Sequence, residues 1–238
     1  MGYPLTVDHL ALVVQDLGAM RDFYTQYMGL QILSDDGQVA QLGAGGRLLV
    51  ALRHDPTASR PGRHEAGLYH AAFLLPDRAA LGGWLTHIAA AGLRLQGAAD
   101  HGVSEALYLA DPEGNGIEIY ADRPAESWVR DGDRIPMVTD PLDLDALAAE
   151  AAPWRGMPDS GRIGLVETMR ARGAVWLGSG GYHHQIAVNS WQIRAPRRPH
   201  VTGLASYALR ARDLAPGLRH DADGTPVTIL ADEMKATL

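Results

Sequence analysis

The sequence predicts an α+β fold made of paired βαβββ modules, and three observations carry that prediction. A segment repeats, helical spacing follows each copy's first strand, and three short strands follow each helix. The repeat emerges when His9-Leu-Ala-Leu-Val-Val-Gln-Asp16 is set over His70-Ala-Ala-Phe-Leu-Leu-Pro-Asp77, 61 residues further on, which also puts Met20 and Phe23 over Leu81 and Trp84.

Each element can be justified in order. The apolar runs after His9 and His70 have the length and composition of strands. Both turn at an aspartate, at Asp16-Leu-Gly and at Pro76-Asp-Arg, and then continue with apolar residues at helical spacing. Those residues are Met20, Phe23, Tyr24, Tyr27 and Leu30 in the first copy, and Leu81, Trp84, Leu85 and Ile88 in the second. Gly29 and Gly92 fall where the helices should stop. Short strands are then expected over Leu30 to Leu33, Val39 to Leu42 and Arg47 to Leu52, and over Leu93 to Gly97, Glu105 to Ala110 and Gly116 to Tyr120. Gly43-Ala-Gly-Gly46 reads as a hairpin turn; no helix follows it, so it is not a phosphate loop.

Strand parity separates core from site, because alternate side chains point to opposite faces of a sheet. Leu10, Leu12 and Val14 suit the helix-covered face, which leaves His9 with Ala11 and Val13 on the other. Phe73 and Leu75 leave His70, Ala72 and Leu74 opposite in the same way. In the last strand Ile117 and Ile119 are core residues, so Glu118 and Tyr120 take the far face. Two histidines and one carboxylate form the ligand set of a mononuclear site that leaves coordination positions open for substrate and oxygen. A glutamate between two isoleucines, pointing into an enclosed sheet, is costly to bury without a cation.

Composition limits the alternatives. With 238 residues, 46% of them hydrophobic, the chain can bury one sizeable core or two small ones. The net charge of −7 and the absence of basic runs argue against nucleic acid and anionic membranes as partners. There is no cysteine, so a metal must be held by His, Asp or Glu. No stretch approaches the roughly 20 apolar residues of a membrane span, and the N-terminus has no secretory pattern. The expectation is a cytoplasmic protein.

The run from Asp100 to Tyr120, DHGVSEALYLADPEGNGIEIY, is the most specific segment. His101, Leu107-Tyr108, the turn Asp111-Pro112-Glu113-Gly114 and Glu118, together with the βαβββ repeat, resemble the vicinal oxygen chelate superfamily and within it the extradiol ring-cleaving dioxygenases. Ala99, two places before the histidine, is a small departure from the pattern. The resemblance implies modules closing into a half-open barrel, with Fe(II) held by His9, His70 and Glu118, Mn(II) being the other metal that set accepts. It further implies His101 as acid/base, Tyr108 as hydrogen-bond donor to a catecholate oxygen, O2 as co-substrate and a small catechol-type aromatic as substrate.

The remainder departs from the pattern. Three regions are expected: a complete module pair over 1–125, a linker with one short helix over 126–160, and a degenerate module pair over 161–238. The linker helix should run from Leu142 to Ala152. After Arg162-Ile-Gly, Leu165 runs directly into Thr168 to Leu177 and then into Gly180 to Trp191, so the third module lacks an opening strand and helix. Gly203 to Ala211 resembles the opening strand of a fourth module, and the residues beyond it are too few for a helix and three strands. Unpaired edges in this half make a homodimer plausible.

Other histidines carry less. His54, His64 and His87 read as surface or loop residues. His183 and His184 are adjacent, so on a strand they would face opposite ways and not serve one site. Two other function classes fit the same fold: a glyoxalase-like metal-dependent isomerase or thiol transferase, and a non-catalytic module that binds a small molecule.

Overall fold

The computed structural model describes residues 4–62, 64–132, 135–168, 174–190 and 195–231. The first module consists of β1 (Leu5–Val14), α1 (Leu17–Gln26), β2 (Gln31–Asp35), β3 (Val39–Ala44) and β4 (Arg47–His54). The second consists of β5 (Gly67–Leu75), α2 (Arg78–Ala90), β6 (Gly97–Asp100), β7 (Ser104–Ala110) and β8 (Gly116–Asp122). Both are βαβββ. Each helix starts at the expected aspartate, with the Asp16 and Asp77 carboxylates accepting from the backbone N–H of Ala19 and Ala80. Gly29 and Gly92, at φ +68° and +72°, provide the left-handed turn after each helix. One strand is displaced: β6 begins at Gly97, because Leu93 and Leu95 are spent packing against the core.

The rest of the chain supplies the short helix α3 (Leu144–Ala149), β9 (Arg162–Thr168), β10 (Ala174–Leu177) and β11 (Ile186–Asn189), then β12 (Gly203–Ala211), β13 (Gly217–His220) and β14 (Pro226–Ala231). The helix lies inside the expected span, capped by Asp143. β9 corrects the expectation that the third module has no opening strand. Its partner is distant, β5, so nothing local to the segment announces the pairing. Among the described residues no helix lies between β9 and β10 or between β12 and β13. Trp191 and residues 169–173 lie outside the described residues.

The strands form two open sheets of mixed topology, in the orders β2-β3-β4-β1-β12-β14-β13 and β6-β7-β8-β5-β9-β11-β10. The shortened fourth module therefore extends the sheet of the first, and the shortened third extends that of the second. β1 pairs parallel with β4 and antiparallel with β12; β5 pairs parallel with β8 and antiparallel with β9.

Parity sorts the side chains as the apolar pattern requires. Leu10, Leu12 and Val14 pack with Met20, Phe23 and Tyr24, and Phe73, Leu75, Ile117 and Ile119 join Leu81 and Trp84 in the same core. The fully buried Trp84 donates from Nε1 to the Tyr27 carbonyl at 2.9 Å, joining the modules. On the far face of the second sheet Ala72, Ala106 and Tyr120 form a separate small cluster with Leu74 and Tyr108 against it.

The turn between β7 and β8 is a second link. One Asp111 oxygen accepts from the backbone of Glu113 and Asn115, while the other accepts from Asn115 Nδ2 and from the buried Tyr24 hydroxyl of α1. Glu113 Oε1 accepts from the backbone N–H of Gln15 and Asp16 at 2.8 Å each, tying down the end of β1. Burial drives the Asp111 carboxyl up to about 6, against these hydrogen bonds.

Candidate metal centre

The far face of the second sheet holds most of the candidate residues. His70 on β5 and Glu118 on β8 lie on adjacent parallel strands, with His70 Nε2 2.8 Å from Glu118 Oε2. The approach is close but off hydrogen-bonding geometry, so the buried Nε2 has no hydrogen-bond partner among the described residues. A buried imidazole nitrogen and a buried carboxylate oxygen this close, without a hydrogen bond between them, suit two ligands of one cation. The fit supports a metal site.

Local structure aims His70. A bulge between Leu68 and His70 breaks the pairing of β5 with β9. Gly116 of β8 lies against the bulge, where a Cβ would stand 2.1 Å from the Tyr69 carbonyl oxygen.

From Glu118 a chain of hydrogen bonds leads outward. The Tyr108 hydroxyl donates to Glu118 Oε1 at 2.9 Å and meets His101 Nε2 at 2.7 Å, while His101 Nδ1 lies 2.7 Å from the Val138 carbonyl oxygen. A carbonyl oxygen only accepts, so His101 Nδ1 is the donor to Val138, and Nε2 faces the Tyr108 hydroxyl. Burial, then the Glu118 charge, pushes the Tyr108 phenol upward and keeps it protonated. Burial also raises Glu118, but His70, then His184 and Tyr108, outweigh it and hold the carboxyl at about 2.

Thus His70, Glu118, Tyr108 and His101 are brought together. His9 is not joined to them. It lies in the other sheet, where Nδ1 is 2.8 Å from Asp8 Oδ2, and Arg210 of β12 holds the second Asp8 oxygen at 2.7 Å. Burial raises the Asp8 carboxyl, yet these two partners keep it below its ordinary value. Among the described residues no three His, Asp, Glu or Cys side chains already form a metal-binding group.

Two features of the site escape a strand-by-strand reading. The linker forms part of its wall, since Val138 meets His101 and Trp128 packs on Tyr182 and His183. The other feature is the pair His183 and His184. They precede β11 in a turn, where strand parity does not apply, and their Nδ1 atoms are 2.9 Å apart. His183 Nε2 lies 2.9 Å from Asp122 Oδ1, and burial holds His184 down at about 3.

A βαβββ repeat with a buried histidine and glutamate on the first and last strands of one copy is the arrangement of the vicinal oxygen chelate class of proteins. Residues 6–119 match the model of the Glyoxalase/Bleomycin resistance protein/Dioxygenase superfamily, and the chain belongs to that superfamily. It is 36% identical to the catechol-2,3-dioxygenase of Bacillus subtilis (strain 168), over 85% of this chain and 81% of that protein. It is 28% identical to biphenyl-2,3-diol 1,2-dioxygenase 3 of Rhodococcus globerulus, over 64% of this chain and 84% of that protein. Among solved structures, the cppA protein of Streptococcus pneumoniae TIGR4 superimposes with a TM-score of 0.59 at 12% identity, covering 95% of this chain and all of that one. That likeness concerns the fold alone. Among the described residues no helix is long and apolar enough to cross a membrane.

Proposed function

We propose that the protein is an extradiol ring-cleaving dioxygenase that acts on a catechol-type substrate with O2 and uses Fe(II), with Mn(II) the alternative metal. The observation that carries this reading is the buried His70 and Glu118 pair, with Tyr108 and His101 bonded in line behind it. The two curated relatives, both named as dioxygenases of adjacent ring diols, support it.

His70 Nε2 and Glu118 Oε2 would hold the metal. Bound there, the metal would supply a common contact for catechol and O2 and pass electron density between them. The chain's own residues manage the protons. The Tyr108 hydroxyl can turn from Glu118 Oε1 to donate to a catecholate oxygen, with His101 Nε2 2.7 Å behind it. His101, fixed by the Val138 carbonyl, can give its Nε2 proton toward the site as Tyr108 gives up its own, and can later recover it. Ala72 and Ala106 line the same face with Tyr120.

A test pairs metal analysis of anaerobically purified protein with O2 uptake on catechol. Bound iron and a yellow ring-cleavage product are expected, both lost in Glu118→Ala. Metal binding without O2 uptake would instead favour a glyoxalase-like isomerase or transferase, and no metal binding a non-catalytic binding module. The outer strand β10, with Val175, Trp176 and Leu177 exposed, supports pairing with a second copy of the chain, which sedimentation would reveal.

A further inference from the structure

We propose that the third protein ligand of this centre is His184, presented by the turn before β11, and not His9; the proposal rests on the reading of His70 and Glu118 as metal ligands. The evidence is a relay of three side chains. Asp122 Oδ1 lies 2.9 Å from His183 Nε2, and His183 Nδ1 lies 2.9 Å from His184 Nδ1. A carboxylate only accepts, so His183 Nε2 is the donor; a ring carrying that single proton accepts at Nδ1, and His184 then places its proton on its own Nδ1. That leaves His184 Nε2 with a bare lone pair. A histidine whose other nitrogen is held in this way is the form that binds a metal.

Position agrees with chemistry. Glu118, Tyr120 and Asp122 share one face of β8, so the strand that supplies the carboxylate also anchors the relay. The turn is pinned a second time by the Tyr120 and Tyr182 hydroxyls at 3.1 Å, and Trp128 packs edge-on to His183 with ring centres 5.3 Å apart. β11, which His184 leads into, pairs with β9, and β9 pairs with β5, the strand of His70. His9 has none of these relations. Its side chain is 28% exposed in the other sheet, and its carboxylate partner Asp8 is bonded to Arg210. The described side chains do not form a closed three-ligand group, so His184 joins the other two on metal binding.

The chain has no cysteine, which makes a specific test available. In Co(II)-loaded protein prepared without oxygen, His184→Cys should show a thiolate-to-cobalt charge-transfer band, and His9→Cys should show none. Any such band can come only from the introduced thiol. Asp122→Asn, which leaves His184 in place, should weaken Mn(II) binding roughly 10- to 100-fold by titration, the usual effect of losing a group that orients a ligand. A band from His9→Cys, no band from His184→Cys in folded cobalt-loaded protein, or unchanged Mn(II) affinity in Asp122→Asn would each overturn the assignment. Should His184→Cys not fold, the Asp122→Asn titration decides alone. Wild-type protein that binds neither Co(II) nor Mn(II) would overturn the reading of His70 and Glu118 as well, which separates the two failures.

Discussion

Gly116 and His70 touch across neighbouring strands: a Cβ placed on Gly116 would stand 3.1 Å from the His70 Cβ and 2.1 Å from the carbonyl oxygen of Tyr69. The second distance is too short for any side chain, and backbone cannot move aside cheaply. Gly116→Ala should therefore push β5 from β8 and turn the His70 ring away from Glu118. We expect a loss of roughly 1–3 kcal/mol in stability, by denaturant unfolding, with weaker Mn(II) binding. A fully stable Gly116→Ala protein with normal affinity would contradict this packing.

Tyr108→Phe removes the hydroxyl between His101 and Glu118 and leaves both of those residues in place. Metal content should be retained while kcat falls on the order of 10²-fold, the low end for lost proton transfer. Steady-state kinetics on iron-loaded protein would show it, with a fall in KM alone counting against the role.

Glu113→Ala takes away the shared acceptor of the Gln15 and Asp16 N–H groups. Leaving them without that partner should cost about 2–3 kcal/mol, read from chemical denaturation. Hydrogen exchange should rise at the end of β1, far more than in β7.

Asp111 gives a pH signature. Its carboxyl is raised to about 6 from 3.8, so its contribution to stability is fully present below 3.8 and is lost as pH rises through about 6. The shift corresponds to roughly 3 kcal/mol. The side-chain carbon resonance of Asp111 should titrate near the raised value, and the stability of the wild type relative to Asp111→Asn should fall between pH 4 and 7. A flat difference across that range would refute the assignment.

Much of the site was legible because its clues are local. Alternation along β5 and β8 places His70 and Glu118 opposite the core, and the repeat makes the two opening histidines equivalent. Equivalence in sequence did not bring them together in space. His9 and His70 belong to different sheets, because β1 and β5 take their second neighbours from β12 and β9, pairings that leave no trace in either strand. The role of the linker was hidden for another reason. Val138 contributes a carbonyl oxygen, which every residue has. The alternation of side chains along a strand does not govern His183 and His184, which precede β11 in a turn.

The pairing of β1 with β12 also has a consequence for synthesis. β12 emerges from the ribosome nearly 200 residues after β1. At 5–20 residues per second that interval is roughly 10 to 40 s, during which one edge of β1 lacks its eventual neighbour. The first module must spend that time with an open, strand-templating border, so a nascent chain stalled before Gly203 should be a good client for chaperones.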